Sequence, residues 1–289
     1  MKERPKREGV MLAYPLDEGR LSRLGKHFLM QPKLRGERVI VEWFAGEAVL
    51  ISSYGNEFKF MDHITAALKP LYDKFGPIPF DGEIYKHGWS QEQVNSAMNR
   101  KVNKSSESVN LEYHIFDIRT NDKCYQRLEM LGNLTGHKYL GVPGSPLIPV
   151  PVIMGNSENW LQITSDWVAQ GYEGGILRRI DAPWEAKRTV NMLKFKPTEE
   201  DTYLILDINE AIDKHGQLKG MVGSFTVKAK DTDDSFKVGA GKMPHPRRVE
   251  LWRLRHTLMG EMLKIKHEFL RTKGGVPVCA VAVDLLRES

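Results

Sequence analysis

The chain has 289 residues, 41% of them hydrophobic and 27% charged, which is enough length and apolar content for one large or two ordinary cores and excludes a disordered polymer. Its formal charge of +5 is a mild basic bias that suits a polyanionic partner without requiring one. Two widely separated cysteines, Cys124 and Cys279, give neither a disulfide framework nor zinc spacing, and no apolar run could span a bilayer, so a soluble, cytoplasmic protein without a signal peptide is expected.

Residues 10–13 form a short apolar piece and residues 16–24 read as a short helix. Residues 27–30 and 38–43 read as strands joined through Gln31-Pro32-Lys33-Leu34-Arg35-Gly36-Glu37, so a hairpin with Lys33 in its turn is expected. A strand over 48–53 and the turn Tyr54-Gly55-Asn56-Glu57 make a second hairpin, and two adjacent hairpins predict an antiparallel sheet. Residues 63–75 have helical spacing at Ile64, Ala67, Leu68 and Leu71, with Asp62 as the expected N-cap and Pro70 as a candidate kink. A strand over 78–85 carries Asp81 and Glu83 on either side of Gly82. Ser90-Gln91-Glu92-Gln93 is a capping box that opens a helix to Met98. Then come a strand over 111–118 and helices over 125–134 and 159–170, the second leading into Gly171-Tyr172-Glu173-Gly174-Gly175. A strand over 192–197 closes this half.

The polar run 196–201 reads as a linker. Beyond it, short strands over 202–208, 223–230, 235–239 and 276–285, with one helix over 247–258, suggest a small, partly open barrel of the oligonucleotide-binding (OB) type. The expected class is therefore α+β: a domain over 1–198 built on antiparallel sheets with flanking helices, followed by an OB-fold domain over 199–289.

These stretches gain meaning when read together. Lys33 sits in a turn, Glu83 and Glu173 flank glycines at strand edges, Phe116 lies mid-strand beside Asp117, and Lys194 and Lys196 alternate onto one face. Taken singly, each has a plainer reading as a turn residue, a core aromatic or the solvated face of an edge strand. Together they have the parts for attack on a phosphoanhydride. A free lysine, with a pKa of about 10.4, is protonated at neutral pH. Neighbouring cations such as Lys194 and Lys196 would disfavour that proton and also stabilise charge on a transferring phosphate. Glu83 and Glu173 suit a Mg²⁺ ion or a ribose, and Phe116 suits a base.

These segments resemble the collinear motifs of nucleotidyltransferases that work through a covalent lysine adenylate, most closely small ATP-dependent DNA ligases of the phage and viral type. Lys33, Gly36 and Arg38 match Lys-x-Asp-Gly-x-Arg. Asp81-Gly82-Glu83, Phe116-Asp117, Glu173-Gly174-Gly175-Ile176-Leu177 and Leu193-Lys194-Phe195-Lys196-Pro197 match the motifs that follow. Trp184 to Thr189 is similar to the segment before the last of these, and Gly223-Ser224-Phe225 and Val238-Gly239-Ala240-Gly241 are similar to the barrel domain. The resemblance implies ATP as cofactor, with AMP bound covalently to Lys33, and Mg²⁺ or Mn²⁺ held by Glu83 and Glu173. It implies Arg38 and Glu83 on the ribose, Phe116 on the adenine, Gln31 or the Pro32 carbonyl at the adenine amino group, and Lys194 and Lys196 on the α-phosphate. It also implies a monomer acting on nicked duplex DNA in replication or repair, in a bacterial or virus-infected cell.

Three departures stand out. Arg35 replaces the family aspartate, Ser53 replaces an arginine in Ser52-Ser53-Tyr54-Gly55, and Arg287 is the sole candidate for a carboxy-terminal basic pair that orients pyrophosphate. A relocated guanidinium, with Arg35 supplying the charge that Ser53 lacks, competes with the reading that Arg35 faces solvent. An RNA ligase of the same superfamily is the nearest rival function, a capping guanylyltransferase is a weaker one, and a catalytically impaired nick-binding module is the rival from another class.

Overall fold

Apolar residues at every second position build strands throughout a computed structural model of the chain, which describes residues 7, 9–98, 103–135, 140–230, 232–268, 276–277 and 279–286. The chain divides into two compact units, one running through Phe195 and the other from Lys196.

In the first unit the elements are β1 (Leu12–Pro15), α1 (Glu18–Leu21), β2 (His27–Lys33), β3 (Glu37–Phe44), β4 (Glu47–Ser52), α2 (Asp62–Phe75), β5 (Phe80–Tyr85) and α3 (Gln91–Met98). They continue with β6 (Glu112–Ile118), α4 (Cys124–Leu134), β7 (Leu147–Pro149), β8 (Ile153–Asn156), α5 (Trp160–Ala169), β9 (Gly174–Arg178) and β10 (Arg188–Phe195). The strands form two five-stranded sheets, ordered β1-β10-β9-β2-β8 and β4-β3-β5-β6-β7.

The expected Lys33 hairpin does not form. β2 pairs with β8 and β9, so both of its edges are occupied, while β3 pairs with β4 and β5. The turn Leu34–Gly36 instead carries the chain from one sheet to the other, and Lys33 ends the first sheet where the second begins. The sheets are also mixed rather than antiparallel throughout, because β1 runs parallel to β10 and β7 parallel to β6.

Each sheet has an apolar outer face. Val39, Val41, Phe80, Ile84 and Tyr113 of the second sheet pack with Ile64, Leu68 and Leu71 of α2 and Val94 of α3. Phe28, Met30, Leu177 and Leu193 of the first sheet pack with Trp167 of α5. Each such buried side chain contributes roughly 1.5–3 kcal/mol relative to exposure. The capping box at α3 forms as expected: Gln93 N donates to Ser90 Oγ at 3.2 Å, and Ser90 N donates to Gln93 Oε1 at 2.9 Å. At α2 the cap position is Met61 and Asp62 is already helical, while the helix runs on through Pro70.

The second unit contains β11 (Thr198–Ile212), β12 (Leu218–Lys228), β13 (Ser235–Gly239), α6 (His245–Arg253), β14 (Met262–Glu268) and β15 (Val281–Leu285). β11 pairs with β12 on one edge and β14 on the other, and the ring closes through β13 and β15. Tyr203, Ile205, Phe225, Val238, Leu263 and Ile265 fill it, together with Leu251 of α6. β11 begins at Thr198, so the expected linker shrinks to Lys196 and Pro197. β14 is a strand that the sequence reading passed over, although Leu263, Ile265 and His267 alternate with polar residues and are buried.

Candidate active site

Register decides which side chains meet. Gln31 of β2, Ile176 of β9 and Lys194 of β10 lie in one cross-strand row, with Arg178 and Met192 paired in the next. Lys33 lies opposite Gly174. Period-two alternation puts Gln31, Lys33, Ile176, Arg178, Met192 and Lys194 on one face of the first sheet. On the facing side, Arg38 pairs with Glu83 across β3 and β5, and β6 supplies Phe116. All of these residues line one cavity, which therefore lies between the two sheets.

The turn that delivers Lys33 is packed too tightly for any side chain at Gly36. A Cβ there would stand 2.2 Å from the Ile84 carbonyl oxygen and 2.9 Å from Glu83 Cγ. The same closeness lets the Gly36 N–H donate to Glu83 Oε1. Lys33 Nζ forms an ion pair with Glu173 Oε2 and also donates to the Leu34 carbonyl at 3.3 Å. Arg35 Nη2 approaches the other oxygen of Glu173 at 3.8 Å, so one carboxylate serves both cations. Burial pushes the Glu83 carboxyl above its ordinary range; Lys33 and the Gly36 N–H oppose that shift, and Glu173 adds to it.

Beside Phe116, Asp117 is 1% exposed and receives two arginines. Arg127 Nε and Nη2 donate to its two oxygens at 2.8 and 3.1 Å, and Arg178 Nη2 forms a second ion pair. Burial alone would raise this carboxyl, but Arg178 and Arg127 outweigh it and hold it below its ordinary range. Arg178 Nη1 also donates to Gln31 Oε1 at 3.0 Å and to the Phe116 carbonyl at 3.1 Å, and Gln31 Nε2 donates to that same carbonyl at 3.1 Å. The Gln31 amide is thereby fixed in one orientation. Arg38 gives its fork to Asp81 at 2.6 and 2.5 Å, and its Cζ lies 4.6 Å above the Phe116 ring. Burial alone would lower the affinity of Arg38 for its proton; Asp81 more than restores it.

The expected residues Gln31, Pro32, Lys33, Arg38, Glu83, Phe116 and Lys194 are thus brought together, and Glu173 joins them through Lys33. Lys196 lies in the second unit, where its ammonium pairs with Glu268 at 3.1 Å. Arg287 is outside the described residues. The sequence reading missed Arg127, Arg178, Arg188, Met192 and Arg7, the last four of which line the cavity. Met192 carried a signal, since it is two positions from Lys194 and so shares its face. Among the described residues no group of three or more His, Cys, Asp or Glu side chains could hold a metal by itself.

Comparison with known proteins supports the same conclusion. A DNA ligase of African swine fever virus, isolate Tick/South Africa/Pretoriuskop Pr4/1996, is 23% identical over 275 residues, covering 88% of this chain. This chain spans only 62% of that viral protein. Among solved structures, a Lig E DNA ligase shares the fold with a TM-score of 0.72 at 21% identity, covering 95% of this chain and 98% of its own. A Chlorella virus DNA ligase-adenylate gives a TM-score of 0.53 at 21% identity, covering 96% and 98%. Residues 10–196, which hold both sheets and nearly every residue of the cavity, match the family described as the ATP dependent DNA ligase domain, and the chain belongs to that family.

Proposed function

We propose that the chain is an ATP-dependent DNA ligase that seals a 3′-hydroxyl to a 5′-phosphate in nicked duplex DNA. The observation that carries this reading is the placement of Lys33, at the seam of two sheets, paired with Glu173 and lining one cavity with Lys194 and Phe116. In this reading the Lys33 amine gives up a proton, for which Glu173 is the adjacent acceptor, and attacks the α-phosphorus of ATP. A P–N bond forms, the bond to the β-phosphate oxygen breaks, and pyrophosphate leaves with the electron pair. The AMP then passes to the 5′-phosphate of the nick, and the 3′-hydroxyl displaces it. Lys194 meets phosphate charge, while Phe116 and Gln31 receive the adenine. Arg38, committed to Asp81 and stacked on Phe116, positions that ring rather than gripping the ribose with its fork.

Glu83 and Glu173 fit a Mg²⁺ or Mn²⁺ ion that takes one or two carboxylates and completes its shell on substrate phosphate oxygens. Burial chiefly raises the proton affinity of Glu83, with a smaller contribution from Glu173, and a cation bound there would oppose both. Such an ion would supply charge neutralisation at the phosphate.

The strand order β11-β12-β13-β15-β14, with α6 between β13 and β14, supports an OB-type barrel that follows the phosphate backbone without reading sequence. A domain boundary at 198/199 falls three residues after the division at Phe195. The test is to incubate the protein with α-labelled ATP or GTP and Mg²⁺, then offer nicked DNA and nicked RNA duplexes. Label from ATP that is lost in Lys33→Ala, followed by sealing of DNA, supports the proposal. Label from GTP, or sealing of RNA in preference to DNA, would replace it with a capping enzyme or an RNA ligase. No labelling of either kind, in protein stripped of AMP with pyrophosphate, would leave a nick-binding module.

A further inference from the structure

Among the described residues, six cations line the cavity between the sheets: Arg7, Lys33, Arg38, Arg178, Arg188 and Lys194. Three are tied to carboxylates, Lys33 to Glu173, Arg38 to Asp81 and Arg178 to Asp117. Arg188 is held by the Ala13 carbonyl, to which its Nη1 donates at 2.5 Å. Arg7 is held differently. Its Nε donates to Tyr54 Oη at 3.3 Å and its Cζ lies 5.5 Å from the centre of the Tyr54 ring; the Glu37 carboxylate lies near enough to feel its charge, but among the described residues the two form no salt bridge. Its placement is anchored close by. Val10 and Met11 are 1% and 2% exposed, and Gly9 turns at φ 65°.

A guanidinium lying on an aromatic ring, bound to it through Nε, keeps the Nη1–Nη2 edge for a partner. That edge matches two oxygens of a phosphate. Arg35 is not available in the same way, because it shares Glu173 with Lys33. Resting on the ligase reading above, we propose that Arg7, carried on Tyr54, is a phosphate-binding residue of this site, although it lies outside the residues matched by the family. The phosphate belongs either to the ATP chain or to the 5′ end of the nick.

Two single-turnover measurements on the full chain separate these sources: labelling of Lys33 by α-labelled ATP across ATP concentrations, and sealing of duplex DNA already adenylated at the nick. Arg7→Ala is expected to slow one of them by about 10- to 100-fold, as for loss of a charge-assisted hydrogen bond. Its melting temperature should be that of the parent, because Arg7 is exposed. Arg7→Lys should restore only part of the rate, since it returns the charge without the fork. Tyr54→Phe, which keeps the ring and removes the hydroxyl, should cost about two- to fivefold. A higher ATP concentration for half-maximal labelling assigns Arg7 to the triphosphate, and slower sealing alone assigns it to the nick. Parent rates in both measurements, with label still lost in Lys33→Ala, overturn the Arg7 proposal and leave the ligase reading standing. Label that survives in Lys33→Ala overturns both.

Discussion

Two carboxylates in the first unit each sit between two cations, and they behave in opposite ways. Asp117 is fully enclosed, its arginines are 0% and 3% exposed, and Arg127 binds it through both oxygens. Glu173 is nearly as buried, but its partners Lys33 and Arg35 are 20% and 16% exposed, and Arg35 stands off at 3.8 Å. The first arrangement is an anchor: both arginines pair with the carboxylate inside the core, Arg178 goes on to fix Gln31 and the Phe116 carbonyl, and Arg127 the Asp122 and Ala182 carbonyls. The second is looser: one carboxylate holds two partly exposed cations, Lys33 at the edge of the cavity and Arg35 at 3.8 Å. The same two-to-one stoichiometry thus gives an enclosed network beside Phe116 and a more open one beside Lys33.

Mutation can break this contrast. The largest effect is expected for Lys33→Ala, which should lower nucleotide labelling by more than about 10⁴-fold while urea unfolding stays close to that of the parent. Asp117→Ala should do the reverse of a purely catalytic variant. Two buried guanidinium groups lose their partner, and roughly 3–5 kcal/mol of stability should disappear in urea titrations, with labelling weakened only as far as the fold is lost. If Asp117→Ala unfolded at the parent's urea midpoint, the anchor interpretation would fail. Gly36→Ala forces the backbone away from the Ile84 carbonyl and misplaces Lys33, so labelling should fall by about 100-fold with the two sheets intact by circular dichroism.

The smallest expected effect concerns pH. Glu83 has a folded pKa above its ordinary value of 4.5, so the native state holds this proton more tightly than the unfolded chain does. The Glu83 contribution to stability is therefore present at and below pH 4.5 and is lost as pH rises through the folded pKa. Glu83→Gln removes that component. Parent and variant compared by thermal melts should diverge with rising pH in favour of the variant, and parallel profiles would contradict the sign.

Part of the site was legible because its residues fall in short runs whose order is informative: Lys33 with Gly36, Glu83 beside Gly82, Glu173 before two glycines. What could not be read was pairing. β2 and β3 look like two arms of a hairpin because a glycine turn separates them, and only the hydrogen bonds of β2 to β8 and β9 show that they belong to different sheets. Arg127 was hidden for a related reason: in a helix over 124–134 an arginine reads as solvent-facing, and its 0% exposure depends on Asp117 of a strand ten positions earlier. Arg7 left no local mark at all, since its partner Tyr54 is 47 positions away.

The separation between Lys33 and Glu173 bears on the order in which the molecule comes into being. The pair spans 140 positions, and β2 takes its hydrogen bonds from strands that begin at residues 153 and 174. The β4-β3-β5-β6 portion of the second sheet needs nothing beyond residue 118. Long-range strand pairing of this kind is slow, because loop closure precedes any gain from contact. On the ribosome, the half of the site carrying Arg38, Asp81 and Phe116 has its strands in hand long before Lys33 can be placed. A nascent chain that ends before Glu173 holds the lysine but not the carboxylate that pairs with it.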